Sequence, residues 1–342
     1  MSHLVAAPDK FRGTATAAQV AGAAAEAARQ AGWTSDEVPM SDGGEGLLDA
    51  VGGEPRRAIV AGPLGREVEA EWHLLGATAV IEMSRAAGRA LLPAPRRDDP
   101  VRADTTGVGQ LLLAARDAGA TRIVVGCGGS ATTDGGRGAY DAVGAPSALA
   151  GVELIVACDV TTPFLDAAVV FGPQKGADRA QVALLTERLA EEARRFRHET
   201  GVDVTLTPGA GAAGGLAGGL LALGARLEPG FALVAGLTGL DRRMRRADLV
   251  VTGEGHLDPP SFEGKVPGGV LELARAEGAR RGHGPPPVLC IAGGADRALL
   301  DAPPEGMEVV SLTGRFGRAR ARRDTLALVR EVTAEVLARL GR

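Results

Sequence analysis

The chain has 342 residues, 45% of them hydrophobic and 23% charged, and carries a formal net charge of −4. This composition is typical of a soluble globular protein, and the length suffices for two domains. The acidic balance and an aromatic content of only 3% disfavour nucleic-acid binding, which relies on basic surfaces and stacking side chains. No apolar run approaches the length of a membrane span.

The N-terminus, MSHLVAAPDK, lacks the charged start and long apolar core of a secretory leader. Cys127, Cys158 and Cys290 lie far apart, in or at the ends of apolar runs, as buried reduced thiols typically do. We therefore expect a cytoplasmic protein, monomeric or homodimeric. The basic runs DRRMRRAD (241–248) and GRFGRARARR (314–323) are interpreted as a solvated helix face and a surface loop.

Short apolar runs predict strands, and Ala/Leu-rich stretches between them predict helices. The predicted strands are 3–8, 36–40, 56–62, 67–76, 77–83, 122–127, 152–159, 168–172, 248–253, 287–294 and 307–314. The predicted helices are 16–31, 105–118, 179–199, 212–225, 266–281 and 323–341. This alternation indicates an α/β protein with largely parallel sheet.

Residues 56–83 break the alternation, because three strands follow one another with only short turns between them. That local meander indicates a sheet of its own. We predict a discontinuous α/β domain from residues 1–55 and 241–342, and an inserted α/β domain from residues 56–240, with the active site in the cleft between them.

Polar residues follow many of the predicted strands, where ligands bind in open α/β sheets. They are Asp9, Lys10, Asp42, Glu45, Ser130, Thr132, Asp134, Asp159, Lys175, Glu254, Asp258 and Lys265. A single acid at such a position could equally cap the next helix. Acids, lysines and glycine-lined backbone together are what magnesium-nucleotide phosphoryl transfer requires.

The lysines are few: of 38 basic residues, all but Lys10, Lys175 and Lys265 are arginine. Each follows a predicted strand end and lies near a glycine, where a compact ammonium can contact a phosphate as a point charge. Chance survival of three lysines is the alternative. We expect Lys175 to lie in an open cleft and to contribute little to stability.

Sequence motifs for other kinds of binding site are weak in this chain. The segments GCGGSA (126–131) and GAGAAG (209–214) fit a dinucleotide fingerprint, but no second strand ending in an acid follows at the required distance. Their glycines can still bind an anion at a helix start. FEGKV (262–266) is not a phosphate-binding Walker loop, and the five histidines lack zinc-ligand spacing.

Ten segments, in order along nearly the whole chain, resemble the bacterial glycerate kinase family. They are APDKFRGTATAAQVA, VPMSDGGEG, GPLGREVEAEW, AVIEMSRAAG, GCGGSATTDGG, VACDV, VFGPQKGA, PGAGAAGGLAGGLLALGA, ADLVVTGEGHLD and GKVPGGV. The resemblance implies ATP-dependent, Mg²⁺-assisted phosphorylation of glycerate. It also implies two α/β domains: a Rossmann-like, doubly wound parallel sheet formed by both chain ends, and a mixed-sheet domain inserted in the middle.

Together with the strand-end pattern, the resemblance implies three groups of site residues. The expected catalytic residues are Asp9, Lys10, Asp42, Glu45, Asp134, Lys175 and Lys265. The expected cofactor-binding residues are Gly128, Gly129, Ser130, Gly211, Gly214 and Gly253. The expected metal ligands are Asp159, Glu254 and Asp258.

The chain departs from the family pattern in four places: Ser41 and Leu47 flank the acidic loop, Thr133 stands where the family has asparagine, and two further departures affect the first loop and the middle of the chain. Lys10-Phe11-Arg12-Gly13 stands where the family usually has Ser-Phe-Lys-Gly, and the segment between GGSAT and ACDV is shorter. A catalytically silent relative that still binds nucleotide or a small organic acid is therefore the alternative function. The acceptor hydroxyl, the general base and the domain that holds the nucleotide are left open.

Overall fold

The computed structural model describes residues 1–93, 99–281 and 284–341. Its strands are β1 (His3–Ala6), β2 (Thr34–Glu37), β3 (Glu54–Ala61), β4 (Glu67–Leu75), β5 (Thr78–Glu82), β6 (Arg122–Gly126), β7 (Glu153–Ala157), β8 (Arg226–Glu228), β9 (Leu249–Leu257), β10 (Val288–Ala295) and β11 (Met307–Ser311). No helix in these ranges has both the length and the apolar character needed to cross a membrane.

The helices complete the alternation. They are α1 (Ala17–Gln30), α2 (Leu47–Val51), α3 (Ser84–Ala87), α4 (Thr106–Asp117), α5 (Arg137–Val143), α6 (Ala167–Phe171), α7 (Arg179–Thr200), α8 (Leu216–Ala222), α9 (Gly230–Thr238), α10 (Leu240–Met244), α11 (Val266–Arg281), α12 (Arg297–Asp301), α13 (Leu312–Phe316), α14 (Arg318–Arg323) and α15 (Thr325–Leu340). The predicted long helices are confirmed as α1, α4, α7, α11 and α15.

Two predicted strands and one predicted helix are wrong or incomplete, and one strand was missed. The helix predicted over 212–225 is shorter, since α8 (Leu216–Ala222) follows a 3₁₀ turn over Ala212–Gly215. The apolar run 168–172 is not a strand but lies in helix α6, because so short a run has no periodicity that separates strand from helix. The strand predicted over 36–40 is β2, which ends at Glu37, two residues before Pro39. The three-residue strand β8 was not predicted, since it is too short to carry an apolar pattern.

The chain forms two compact units. Unit 1 comprises Met1–Asp42, Asp49–Val51 and Phe231–Arg342, and unit 2 comprises Gly43–Leu48 and Gly52–Gly230.

Unit 1 is built on a parallel five-stranded sheet with the order β11-β10-β9-β1-β2. Both faces of the sheet are covered: Leu4 and Ala6 belong to a core shared with α1 and α15, while Val5, which faces the opposite way, is also buried. Helix α1 begins at a capping box in which Thr16 and Gln19 bond each other's backbone N–H groups. Strands buried on both faces explain the continuous apolar runs in the sequence.

Unit 2 is built on a six-stranded mixed sheet with the order β3-β4-β5-β6-β7-β8. Strands β3 to β5 pair antiparallel, and β5 to β8 pair parallel. Its core includes Trp72 and an aromatic cluster in which Phe196 contacts Tyr140 and Phe164. The predicted fold, a parallel sheet from both chain ends and an inserted mixed sheet, is confirmed.

Candidate functional site

In the sheet of unit 1, the order in which the chain adds strands reverses between β1 and β9. From β1 the chain continues to β2 at one edge, whereas β9, β10 and β11 follow one another toward the other edge. The segment after β1 stays beside β9, since Ala7 N donates to Val251 O at 2.7 Å and Asp9 N to Gly253 O at 2.8 Å. The loops that leave these two strands therefore diverge at a topological switch point, where open α/β sheets bind ligands.

Asp9 is the first acid at this switch point. Its Oδ1 accepts a hydrogen bond from Lys10 N at 2.6 Å, and Lys10 Nζ lies 3.6 Å from the same oxygen. Burial raises the pKa of Asp9 to about 6; the Lys10 charge lowers it, and the charge of Asp42 raises it. The structure thus brings Asp9, Lys10 and Asp42 together.

Glu254 is the second acid, on the carboxyl-terminal part of β9. Burial raises its pKa to about 7; the nearby Ser261 side chain and the charge of Lys265 lower the pKa, and the charges of Asp9 and Asp258 raise it. Its Oε1 is buried and has no hydrogen-bond partner among the described residues. A buried carboxylate oxygen without a partner is costly, which indicates a ligand that completes it.

Asp258, in the loop after β9, stabilises the backbone of that loop. Its Oδ1 accepts hydrogen bonds from Ser261 N at 3.1 Å and Ser261 Oγ at 2.8 Å, so it caps the short 3₁₀ turn Pro259–Phe262. This is the capping role that the sequence left open for any single acid.

The described residues contain no ready-made cluster of three His, Cys, Asp or Glu side chains for a metal ion. Magnesium, however, is usually bound through one or two carboxylates and several waters. The unpartnered Glu254 Oε1, with the charges of Asp9 and Asp258 acting on it, fits such a partial ligand set.

Unit 2 contains the residues Gly43–Leu48, which include Glu45 and lead into α2. The backbone of this segment is fixed by Glu82, at the end of β5, whose Oε1 accepts hydrogen bonds from Gly46 N at 2.8 Å and Leu48 N at 3.1 Å. Glu45 lies directly over the glycine pair Gly128–Gly129, because a Cβ at Gly129 would collide with the Glu45 carboxylate. The predicted residues Glu45, Gly128 and Gly129 therefore lie together.

Asp134 lies in the loop between β6 and α5 and is only 6% exposed. Its carboxylate accepts four hydrogen bonds: from Thr105 Oγ1 at 2.7 Å, Thr105 N at 2.9 Å, Gly138 N at 3.1 Å and Gly136 N at 3.2 Å. Burial nevertheless raises its pKa, against the effect of these bonds. The structure thus gives Asp134 the role of holding the loop to the starts of α4 and α5.

Lys175 is 3% exposed, so the expectation of an open cleft is wrong. It also follows helix α6 rather than a strand, in the 3₁₀ turn Pro173–Lys175. Its Nζ donates to Thr132 O at 2.5 Å. Burial lowers its pKa to about 7, opposed by the charge of Asp134 and reinforced by that of Arg89. The rare lysine therefore lies inside unit 2, under the loop that carries Thr132 and Asp134.

The turn at Gly214 packs against this lysine. A Cβ at Gly214 would collide with Thr132 O and lie 2.8 Å from Lys175 Nζ. The neighbouring Ala213 has φ 54°, a left-handed conformation that is strained for a residue with a side chain. Above them, Thr132 Oγ1 and Thr133 Oγ1 are buried without a partner in the described part of the chain. Strain and unpaired hydroxyls at one place indicate a binding site.

The remaining predicted residues have separate surroundings. Ser130 forms an isolated bridge with Gly88, and the Asp159 carboxylate accepts a hydrogen bond from Gly230 N at 2.7 Å. Gly211 and Gly253 allow close backbone packing, since a Cβ would meet Pro163 O and Ile291 O, respectively. Asp159 belongs to unit 2, whereas Glu254 and Asp258 belong to unit 1.

Two important residues were missed from the sequence. Glu82 ends a buried strand and is itself 3% exposed, a position where an acid needs partners, so its signal was present. Thr105 is fully buried and bonds Asp134, but nothing in the sequence around it distinguishes it from an ordinary helix cap.

Replacing Thr105 by valine should destabilise unit 2 by about 1–3 kcal/mol, because Asp134 loses its hydroxyl donor and Ala139 N loses its acceptor at 3.0 Å. Urea unfolding followed by circular dichroism measures the loss. Thr121→Val, at an exposed position, is the matched control. Equal stability of the two variants would contradict a structural role for this network.

The comparisons with known proteins find relatives that match most of the chain. The sequence profile of the glycerate kinase family matches residues 4–148 and 144–340. A glycerate kinase of Halalkalibacterium halodurans is 41% identical over 333 residues, 86% of each chain, and a glycerate 2-kinase of Escherichia coli is 39% identical over 332 residues, 85% of this chain and 84% of the relative.

The crystal structure of a protein assigned as glycerate kinase 2 from Salmonella typhimurium LT2 matches with a TM-score of 0.82 and 32% identity, covering 100% of this chain and 98% of the other. The sequence motifs, the two units and these relatives lead to one assignment: the chain belongs to the glycerate kinase family.

Proposed function

We propose that this protein transfers the terminal phosphoryl group of ATP to a hydroxyl of glycerate, assisted by Mg²⁺. The observation that carries the proposal is the group at the switch point of unit 1: a buried carboxylate oxygen of Glu254 without a partner, next to Asp9, Lys10 and Lys265. Glycerate is proposed as the substrate because relatives that match most of the chain are named glycerate kinases.

Asp9 is suited to orient the acceptor hydroxyl and take its proton. A pKa of about 6 leaves its carboxylate ionised at neutral pH, yet more basic than an ordinary aspartate. Lys10, bonded to Asp9 through its backbone N–H, keeps the carboxylate oriented. Lys10 and Lys265 supply positive charge toward the phosphates or the glycerate carboxylate.

Glu254, together with Asp258, would hold the Mg²⁺ ion. A bound Mg²⁺ supplies charge neutralisation of the transferring phosphates. Glu254 is preorganised for this task, because the protein has already desolvated it and left one oxygen without a partner.

An assay coupled to ADP release, with D-glycerate, ATP and Mg²⁺, tests the proposal. We expect glycerate-dependent turnover in the range of about 1–100 s⁻¹ that is typical of kinases. Asp9→Asn serves as the inactive control, and NMR of the product identifies the 2- or 3-phosphate. Binding of ATP or glycerate that raises the melting temperature, with ADP release at background across a panel of small hydroxy acids, would contradict catalysis and support a silent relative.

A further inference from the structure

A second feature of unit 1 is a cavity of about 430 Å³ at the carboxyl ends of β9 and β10. Its volume lies in the range of small-molecule sites, about 300–1,000 Å³. Three arginines line it: Arg12 from the loop after β1, and Arg318 and Arg322 from α14. Hydroxyls of three threonines and the ring of His256 complete the polar lining, and no Asp or Glu belongs to it.

The arginines of the segment 314–323 divide into two groups. Arg315, Arg320 and Arg323 pair with Glu335, Glu331 and Asp324, respectively. Within the described ranges, Arg318 and Arg322 form no ion pair with an acid, and neither does Arg12; all three line the cavity.

The unpaired arginines form a local excess of positive charge. Arg318 and Arg322 stand four residues apart on one helix, an arrangement of like charges that is unfavourable without a counter-ion. The carboxylate that approaches the lining, Asp296, pairs with His256 at 3.1 Å and not with an arginine. A bound anion would supply the missing charge.

The floor of the cavity consists largely of backbone. Gly255 on β9 and Gly293 on β10 are so close that a Cβ at Gly293 would lie 2.6 Å from Gly255 O, and Gly294 follows beside His256. The absence of side chains there leaves the space open. Phe11, Ala295 and Ala321 provide an apolar wall, so the site combines the charged and apolar surfaces that a nucleotide needs.

The cavity is continuous along the chain with the acidic group. Arg12 is two residues after Lys10, and Gly255 directly follows Glu254. A Cβ at Gly255 would lie 3.0 Å from Arg12 N, so the loop after β1 passes directly over β9. A phosphate chain held by the arginines would extend toward the carboxylates.

We propose that this cavity binds the nucleoside triphosphate, with Arg12, Arg318 and Arg322 holding its phosphate chain. The planar guanidinium groups suit bidentate binding of phosphate oxygens. The inference rests on the proposed function, because it locates the phosphoryl donor of that reaction.

The test is calorimetric binding of a non-hydrolysable ATP analogue with Mg²⁺ to the full chain. The double variant Arg318→Ala/Arg322→Ala should bind about 100-fold more weakly, equivalent to about 2.7 kcal/mol. The matched control, Arg315→Ala/Arg320→Ala, removes the same charge from the same segment at ion-paired positions and should bind normally. Tripolyphosphate should compete with the analogue, and the binding of glycerate should be unchanged in both double variants.

The outcomes separate the two proposals. Normal nucleotide binding by the Arg318→Ala/Arg322→Ala variant, alongside normal glycerate-dependent turnover, would overturn the inference and leave the proposed function standing. Loss of tripolyphosphate binding without loss of nucleotide binding would also overturn it, in favour of another phosphorylated ligand. A wild-type chain that binds no nucleotide and shows no turnover would overturn the proposed function itself. Circular dichroism and melting temperatures establish that the variants are folded.

Discussion

Replacing Glu254 by glutamine is expected to lower kcat/KM for glycerate by about 10³-fold or more, a loss of about 4 kcal/mol of transition-state stabilisation. Glutamine keeps the shape of the side chain, but it removes the charge that the buried, unpartnered Oε1 offers to a cation. The fold should be retained, because the substitution relieves the burial of a charge rather than breaking an ion pair.

The measurement is the coupled assay over a range of Mg²⁺ concentrations. Glu254→Gln should need more Mg²⁺ for half-maximal rate as well as losing kcat, whereas Glu263→Gln, the same change at an exposed position nearby, should match the wild type. Full activity of Glu254→Gln with unchanged Mg²⁺ dependence would remove the carboxylate from the proposed mechanism.

Replacing Lys175 should cost activity and also change stability, unlike a lysine on the surface. We expect kcat/KM to fall by about 10²-fold or more in both Lys175→Met and Lys175→Arg, because each disturbs the loop that Nζ holds through Thr132 O. Arginine should in addition destabilise the protein by about 1–3 kcal/mol, since Gly214 and Thr132 leave no room for a larger group. Lys265→Arg, at a half-buried position, is the control for stability.

The pH dependence of stability gives a second readout for Lys175. Its pKa is about 7 in the folded protein and 10.5 for an ordinary lysine, so the unfolded chain binds the proton more tightly. The free energy of unfolding should therefore rise from about pH 7 to pH 10.5 in the wild type, and the cost of the buried charge is fully present below pH 7. Lys175→Met lacks this contribution. Its free energy of unfolding in urea, relative to that of the wild type, should therefore be most favourable near pH 6.5 and least favourable near pH 9.5. Identical pH profiles would show that the ammonium is not buried in solution.

The architecture could be predicted because it follows from repeated local patterns. Runs buried on both faces and long helices with capping boxes, such as the one at Asp178 and Gln181 before α7, produce signals over many residues. The strand predicted over 168–172 was wrong for the opposite reason, because the pattern there covers only five residues. In the structure Val169 and Val170 are 58% and 52% exposed on a short helix. A β-branched composition does not determine structure over such a length.

The candidate site was predictable in its residue types more than in its arrangement. Strand ends identified Asp9 and Glu254, which the structure brings together. Burial of Lys175 and the bonding of Asp134 to Thr105 depend on contacts between residues distant in sequence, which no local pattern encodes. Likewise, the segment 314–323 gave no sign of which arginines would be neutralised by acids on α15.

The interior position of β1, between β2 and β9 in the sheet of unit 1, has a consequence for biosynthesis. Val5 and its neighbours are completely buried between β2 and β9, and His3 N bonds Asp248, a residue 245 positions further along the chain. At a ribosomal rate of about 5–20 residues per second, β1 waits roughly 12–50 s for that partner. All residues of unit 2 are synthesised before Asp248, so unit 2 can complete its own core during this interval. Meanwhile the nascent N-terminal strand exposes an apolar edge that a chaperone can bind.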